Sequence, residues 1–277
     1  NREDWEKALY WSRKGANDRI PFCLRTLGYY YLDGIGVARD TKKAKEWLTE
    51  AAKQGNGSAC SLLMQQSMEE SDINGAMKWA RKGAGLNDPS CLSFLGMHMI
   101  MTNSSKKKIA EAMDYLTSAG YLGEPEASYM LGKIYAGDAK VKSVKKDVAS
   151  AERWFRKAEE AGETDAVISR AAIYMEGKAA RVDTEKAVSI LDEAIGKGNG
   201  NAALYLAICY ANGTGITKNL LKAQEYLNKA IFCGMEAGTA AQKLLAVLMA
   251  GNWDKEYKKI IVESEGELGE IQMRLGM

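Results

Sequence analysis

The sequence is poor in residues that interrupt helices and in residues that build catalytic or metal sites. Three prolines and four phenylalanines occur among 277 residues, whereas Ala, Leu, Met, Lys and Glu are frequent, and this composition favours helix throughout. The only histidine is His98. Metal sites built on several histidines are therefore excluded, and a histidine-centred catalytic triad would depend on that one residue. We interpret His98 as a structural residue of its helix and predict neither a metal nor a cofactor.

The sequence also lacks a long apolar run and a strong charge imbalance. No apolar stretch reaches the length of a membrane span. The net charge of +2 implies no special attraction to nucleic acid or anionic lipid. No signal peptide is recognisable. Because the helical pattern is already under way at Asn1, we expect a segment upstream, and the missing signal peptide does not argue for the cytoplasm.

The clearest structural signal is a two-helix pattern at 202–234. Its first half places Leu206, Ala207 and Tyr210 on one helix face and ends at Gly213. Its second half repeats apolar residues at spacings of three, four and seven. Two such helices form an antiparallel hairpin that needs neighbours to bury both apolar faces.

Copies of this pattern cover the chain. We predict one solenoid over 1–277, with a half-unit at 4–16, repeats at 23–55, 59–84, 91–123, 127–162, 166–198 and 202–234, and capping helices at 240–277. The repeats start 36, 32, 36, 39 and 36 positions apart, a period typical of helical-hairpin solenoids. We expect a compressed turn at 69–74, a loop at 102–108, and a helical cap or frayed tail at 263–277.

A small residue recurs in the middle of the first helix, where glycine is otherwise unfavourable. Its members are Gly28, Gly96, Gly132, Ala171 and Ala207. We predict that it lets the second helix approach closely, and that the aromatic residue three or four positions later fills the space beside it. The alternative is a generic helical bundle with coincidental glycines.

The pattern A…LG..Y..G.G…D..KA..W..KAA..G, seen at 23–55 and 202–234, resembles the Sel-one-like repeat (SLR), a relative of the tetratricopeptide repeat. The resemblance extends from Asp4 to about Leu248 and is weak at 59–84. It implies an all-α, right-handed superhelical solenoid that serves as a protein–protein interaction scaffold or adaptor. Such proteins often act in exported or membrane-associated assemblies, which favours an exported or periplasmic location.

The resemblance leaves two further functions open. Some bacterial members resemble immunity proteins that block a secreted toxin, so an inhibitor of a toxin or effector enzyme is an alternative to the scaffold. A remote alternative is a serine hydrolase, because SxxK sequences occur at Ser104–Lys107, Ser105–Lys108 and Ser143–Lys146. They fall in lysine-rich loops without the helix start that this chemistry requires. We therefore predict no catalytic residues.

The first helices are expected to line the concave face of the superhelix, where a partner protein would bind. Tyrosine, arginine and methionine are frequent at interfaces. By spacing, the candidate positions are Arg25, Tyr29, Gln65, Met68, Met97, Met101, Tyr129, Lys133, Met175 and Glu176. That several of them belong to the core is an equally good interpretation.

A second candidate surface is a basic edge made by the loops within successive hairpins. Its members are Lys106, Lys107, Lys108, Lys140, Lys142, Lys145 and Lys146. Such an edge could steer an acidic partner, although solvation of long loops also explains these lysines.

The five cysteines form no CxxC pair. Cys23 and Cys91 stand where other repeats have alanine, which indicates buried free thiols. Cys209 and Cys233 lie at opposite ends of one hairpin, too far apart to form a disulfide. Unpaired cysteines favour the cytoplasm, against the location that the resemblance implies.

Overall fold

The computed structural model describes residues 2–102, 105–139, 141, 143–177, 182–264 and 268–275. These residues form sixteen helices and no strand. The chain folds into two compact units, Asn1–Ala127 and Ser128–Met277. No helix in the described ranges combines the length and the apolar character that crossing a membrane requires.

Unit 1 consists of one leading helix and three hairpins. Its helices are α1 (Arg2–Asn17), α2 (Pro21–Asp33), α3 (Thr41–Lys53), α4 (Gly57–Glu69), α5 (Ile73–Ala84), α6 (Pro89–Met101) and α7 (Lys106–Tyr121). The hairpins α2–α3, α4–α5 and α6–α7 make the closest helix pairs, and α1 packs on α2. The first helices of the hairpins contact one another, α2 with α4 and α4 with α6.

Unit 2 continues the pattern and ends in three further helices. Its helices are α8 (Pro125–Ala136, beginning at the boundary), α9 (Val148–Glu160), α10 (Ala166–Met175), α11 (Thr184–Gly196), α12 (Gly200–Asn212), α13 (Leu220–Cys233), α14 (Met235–Met249), α15 (Trp253–Glu263) and α16 (Gly269–Arg274). The helix α14 packs on α13, and α16 packs on α10. The predicted all-α fold of stacked helix hairpins is confirmed.

Short polar side chains start many of these helices. An Asp or Asn side chain accepts a backbone N–H at the start of eight helices, α3, α4, α5, α6, α9, α11, α12 and α13. The capping residues are Asp40, Asn56, Asp72, Asp88, Asp147, Asp183, Asn199 and Asn219. Each bond satisfies a backbone donor that the helix leaves free.

Two connections are shorter than their sequences predict. The compressed turn expected at 69–74 is shorter in the structure, since α4 ends at Glu69 and α5 begins at Ile73. The helix α5 begins early because the Asp72 side chain caps it. The loop expected at 102–108 ends before Lys106, since α7 begins there with Ser105 in the N-cap position.

Glycine makes the close contact between the two helices of a hairpin. A Cβ atom on Gly28 would lie 2.6 Å from Leu48 Cγ, and the same atom on Gly96 would lie 2.6 Å from Leu116 Cγ. On Gly132 it would lie 2.5 Å from a ring carbon of Phe155. The close approach predicted at these glycines is confirmed. The prediction that an aromatic residue of the first helix fills the space is wrong, because Leu48, Leu116 and Phe155 of the second helices lie opposite the glycines.

Candidate partner-binding faces

The first-helix face of unit 1, formed by α2, α4 and α6, carries six of the candidate positions. Large apolar side chains are exposed on it: Tyr29 is 36%, Met68 41% and Met101 80% exposed. Gln65 is also exposed, whereas Arg25 and Met97 are half-buried. This face therefore presents aromatic and methionine side chains to solvent.

Two interactions within α2 involve the candidate residues Arg25 and Tyr29. The Arg25 guanidinium lies 5.2 Å from the centre of the Phe22 ring, an attractive cation–π arrangement. A hydrogen bond to Asp33, together with the charge of that carboxylate, raises the pKa of the Tyr29 hydroxyl. Tyr29 therefore stays neutral over the physiological range.

The first-helix face of unit 2, formed by α8 and α10, is different because the C-terminal helix α16 covers it. Tyr129 and Lys133 of α8 both contact Glu270 of α16, and Glu176, just beyond α10, pairs with Arg274 at 3.5 Å. Met175 is only 2% exposed. At Met175 the interpretation as a core residue is therefore the right one, because α10 is buried on all sides.

Two buried charges of α16 form the centre of this contact. The Glu270 side chain is 4% exposed and that of Arg274 is 3% exposed. Glu270 accepts hydrogen bonds from the hydroxyls of Tyr129 and Ser169 and, at 2.6 Å, from Arg274 Nε. Arg274 also lies 2.7 Å from the Asp138 carboxylate. Both buried charges thus have partners, as burial requires.

The electrostatics of the cluster agree with its geometry. Burial, with the nearby Glu270 charge, raises the pKa of the Tyr129 hydroxyl, so Tyr129 remains a hydrogen-bond donor. Burial alone would lower the pKa of Arg274, but the carboxylates of Glu270, Asp138 and Glu176 outweigh it and raise that pKa. The guanidinium therefore stays charged.

Sequence reasoning placed a cap or a frayed tail at 263–277 and did not find this contact. Two signals were available. Glu270 and Arg274 stand four residues apart, a spacing that pairs side chains on one helix face. The helix α10 has almost no polar side, and a helix that is apolar all round must be covered on every face.

The basic edge is only partly described by the structure. Lys106, Lys107 and Lys108 form the first turn of α7 and are exposed, so their expected place in a loop is wrong. The expectation that no helix starts at the SxxK sequence Ser105–Lys108 is wrong for the same reason. Lys145 and Lys146 are exposed in the connection before α9. Lys140 and Lys142 lie outside the described residues. The two lysine groups belong to different compact units, and the edge stays a prediction.

The histidine and the cysteines form no metal-binding group in the part of the chain that the structure describes. The His98 ring stacks on Phe94, with ring centres 6.1 Å apart. All five cysteines are free thiols; Cys60, Cys91 and Cys209 are buried, and Cys23 and Cys233 are half-buried. The burial predicted for Cys91 is confirmed, and the burial predicted for Cys23 is wrong. Among the described residues, no group of three or more His, Cys, Asp or Glu side chains could hold a metal ion.

The repeated hairpins and their glycine contacts define a helical-repeat protein of the SLR type. The family model described as "Sel1 repeat" matches residues 3–18, 22–56, 60–88, 125–163, 166–199 and 200–231, and the chain belongs to this family. Its proteins typically act as protein–protein interaction scaffolds and are generally non-enzymatic. The matched segments leave out the α6–α7 hairpin. In this hairpin Gly96 nevertheless packs against Leu116 in the same way that Gly28 of α2 packs against Leu48 of α3.

Solved structures share this fold. A protective antigen present in uropathogenic Escherichia coli strains, which displays an SLR fold, is 22% identical, with a TM-score of 0.68 over 97% of this chain and 56% of that one. A Sel1 repeat protein from Oxalobacter formigenes is 26% identical, with a TM-score of 0.61 over 76% of this chain and 85% of that one.

One curated relative is an uncharacterized protein of Neisseria meningitidis serogroup B. It is 29% identical over 163 residues, which make up 59% of this chain. The chain spans 34% of the length of that relative and about half of the E. coli antigen.

Proposed function

We propose that this chain is a non-enzymatic scaffold or adaptor that binds a partner protein through its first-helix faces. The observation that carries the proposal is the exposed set of Tyr29, Met68 and Met101 on the first-helix face of unit 1. Exposed apolar side chains that share one face favour protein contact, and methionine adapts to irregular partner surfaces.

The experiment compares capture of partners from the source organism by three forms of the full chain. These are the unmodified chain, a Tyr29→Ala/Met101→Ala variant, and a control Tyr121→Ala/Leu122→Ala variant that removes exposed apolar side chains at the end of α7. The face variant should capture at least tenfold less of a specific partner than the unmodified chain does, as measured by quantitative mass spectrometry. The control variant should capture as much of it as the unmodified chain. Equal capture by both variants would contradict the proposal.

The captured partner also separates the scaffold from the inhibitor. An adaptor leaves the activity of its partner intact or brings two partners together. If the partner is a toxin or an effector enzyme whose activity falls in proportion to bound chain, the protein acts as an inhibitor. Labelling of the chain by a covalent serine probe would support the hydrolase alternative and oppose both.

A further inference from the structure

The contact between α16 and the first-helix face of unit 2 has the composition of a recognition site. The face supplies hydrogen-bond donors at one place, the hydroxyls of Tyr129 and Ser169, with the Lys133 ammonium 3.9 Å from Glu270. It supplies acceptors at a second place, the carboxylates of Asp138 and Glu176. Two neighbouring subsites of opposite polarity result.

The spacing of these subsites selects a helical ligand. Glu270 fills the donor subsite and Arg274 fills the acceptor subsite, and the two side chains lie four residues apart on one turn of helix. Between them, Ile271 is buried in the core of unit 2, and Met273 lies 3.1 Å from Lys133 Nζ through its sulfur. The ligand pattern is therefore Glu-x-x-x-Arg with an apolar residue after the glutamate.

The energetics make α16 a replaceable ligand. A helix of six residues is too short to be stable by itself. Buried ion pairs add little net stability because desolvation offsets their attraction, although their geometry is selective. A competitor that displaces this segment must therefore supply the same two charges and must also replace the buried side chains of Leu268 and Ile271.

Resting on the proposed function, we propose that the first-helix face of unit 2 recognises a short helical segment of a partner protein with the pattern Glu-x-x-x-Arg, and that α16 occupies this site as an internal competing ligand. The tethered segment has a high effective concentration at its site. A partner segment must therefore displace α16 before it binds.

The test uses the full chain and a fluorescent peptide with the sequence of residues 264–277. A Glu270→Lys/Arg274→Glu variant releases α16, since the reversed charges face Lys133 on one side and Asp138 and Glu176 on the other. A matched Glu193→Lys/Lys197→Glu variant reverses an exposed pair with the same spacing. A second peptide has the residues that correspond to Glu270 and Arg274 exchanged with each other.

We expect the peptide to bind the released variant at least tenfold more tightly than it binds the unmodified chain or the matched variant, in fluorescence anisotropy. The exchanged peptide should not bind the released variant. Absence of peptide binding to a released variant with intact circular dichroism, or equal binding to all three chains, would overturn the proposal and leave α16 a structural cap.

A second measurement decides the matter if the released variant does not fold. Hydrogen exchange of the unmodified chain should accelerate in α16 when millimolar peptide is added, and unchanged exchange would overturn the proposal. Failure here, with the Tyr29→Ala/Met101→Ala variant still losing its partner, would leave the scaffold function standing. Peptide binding without an effect of that variant would instead remove the unit 1 face from the proposed function.

Discussion

The Cys91 side chain occupies the space that a Cβ atom on Gly83 would need, since such an atom would lie 2.9 Å from Cys91 Cβ and 3.0 Å from Cys60 Cβ. Gly15 and Cys23 stand in the same relationship, since a Cβ atom on Gly15 would lie 2.8 Å from Cys23 Cβ. At equivalent positions, other neighbouring repeats have two alanines, as at Ala158 and Ala166. The contact between consecutive repeats thus accepts either Gly with Cys or Ala with Ala.

This complementarity predicts a coupled effect of two substitutions. Gly83→Ala should destabilise unit 1, because overpacking costs about 1–3 kcal/mol and exceeds the gain in helix propensity of about 1 kcal/mol. Adding Cys91→Ala removes the Sγ atom, which is the atom nearest to the new methyl group, and should recover part of the loss, although the Cβ atoms of residues 91 and 60 remain close. Urea denaturation of the two single variants and the double variant measures the coupling. Additive effects of the two substitutions would contradict the proposed packing.

The hairpin α8–α9 allows a similar test at Gly132. Gly132→Ala should cost about 1–3 kcal/mol, because the added methyl group meets the buried Phe155 ring. Combining it with Phe155→Leu recreates the pairing of alanine and leucine that Ala207 and Leu227 have in the repeat at 202–234. The double variant should be more stable than Gly132→Ala alone. Thermal unfolding monitored by circular dichroism provides the comparison, with Phe155→Leu as the control.

The buried ion pair between α9 and α10 should respond asymmetrically. Arg170 takes the position where other repeats have leucine, and it donates to Glu159 at 2.7 and 2.9 Å. Arg170→Leu should cost less than about 1 kcal/mol, because leucine fits the position and water can reach Glu159. Glu159→Leu should cost about 2–4 kcal/mol, because it removes both carboxylate hydrogen bonds of a guanidinium that is mostly buried. Equal losses in denaturant unfolding would argue that the pair itself stabilises unit 2.

The thiols should fall into two classes. Burial raises the pKa of Cys209 to about 12, and burial also raises the pKa values of Cys60 and Cys91. A thiol reagent at about pH 8 should therefore modify the half-buried Cys23 and Cys233 first, and the other three only after unfolding in urea. Rapid modification of all five in the folded chain would contradict the burial. Cys23→Ser and Cys233→Ser variants assign the fast phase.

The same pKa shift has a consequence for stability. The raised folded-state pKa of Cys209 stabilises the folded chain fully below the unfolded value of about 8.5. This contribution is lost as the pH rises through about 12, because the unfolded thiol ionises first. A Cys209→Ala variant should lose less stability than the unmodified chain between about pH 8.5 and about pH 12.

Much of the fold could be predicted from local pattern. The repeats predicted at 23–55 and 202–234 correspond to the hairpins α2–α3 and α12–α13. They were predictable because helix periodicity, glycine turns and Asp or Asn caps all act within a few residues. Boundaries were less certain. The early start of α5 at Ile73 depended on a single capping side chain, which one sequence pattern does not distinguish from a turn residue.

The candidate site was predictable only in part. The spacing that indicates a first-helix face also places Tyr29 and Met101 on the surface, as the structure shows. It could not reveal that Tyr129 and Lys133 contact Glu270. Tyr129 and Glu270 stand 141 positions apart along the chain, and no local period connects them.

The sequence by itself determined the class of fold, since repeated apolar faces joined by glycine turns can be buried only by stacking one hairpin on the next. It also determined where close packing would need glycine. Only the tertiary structure decided which first-helix faces remain open. The six residues of α16 cover the face of unit 2 only if the pairing of their charged side chains with Tyr129, Ser169 and Asp138 offsets the cost of removing those side chains from water. That balance depends on the geometry of the assembled site.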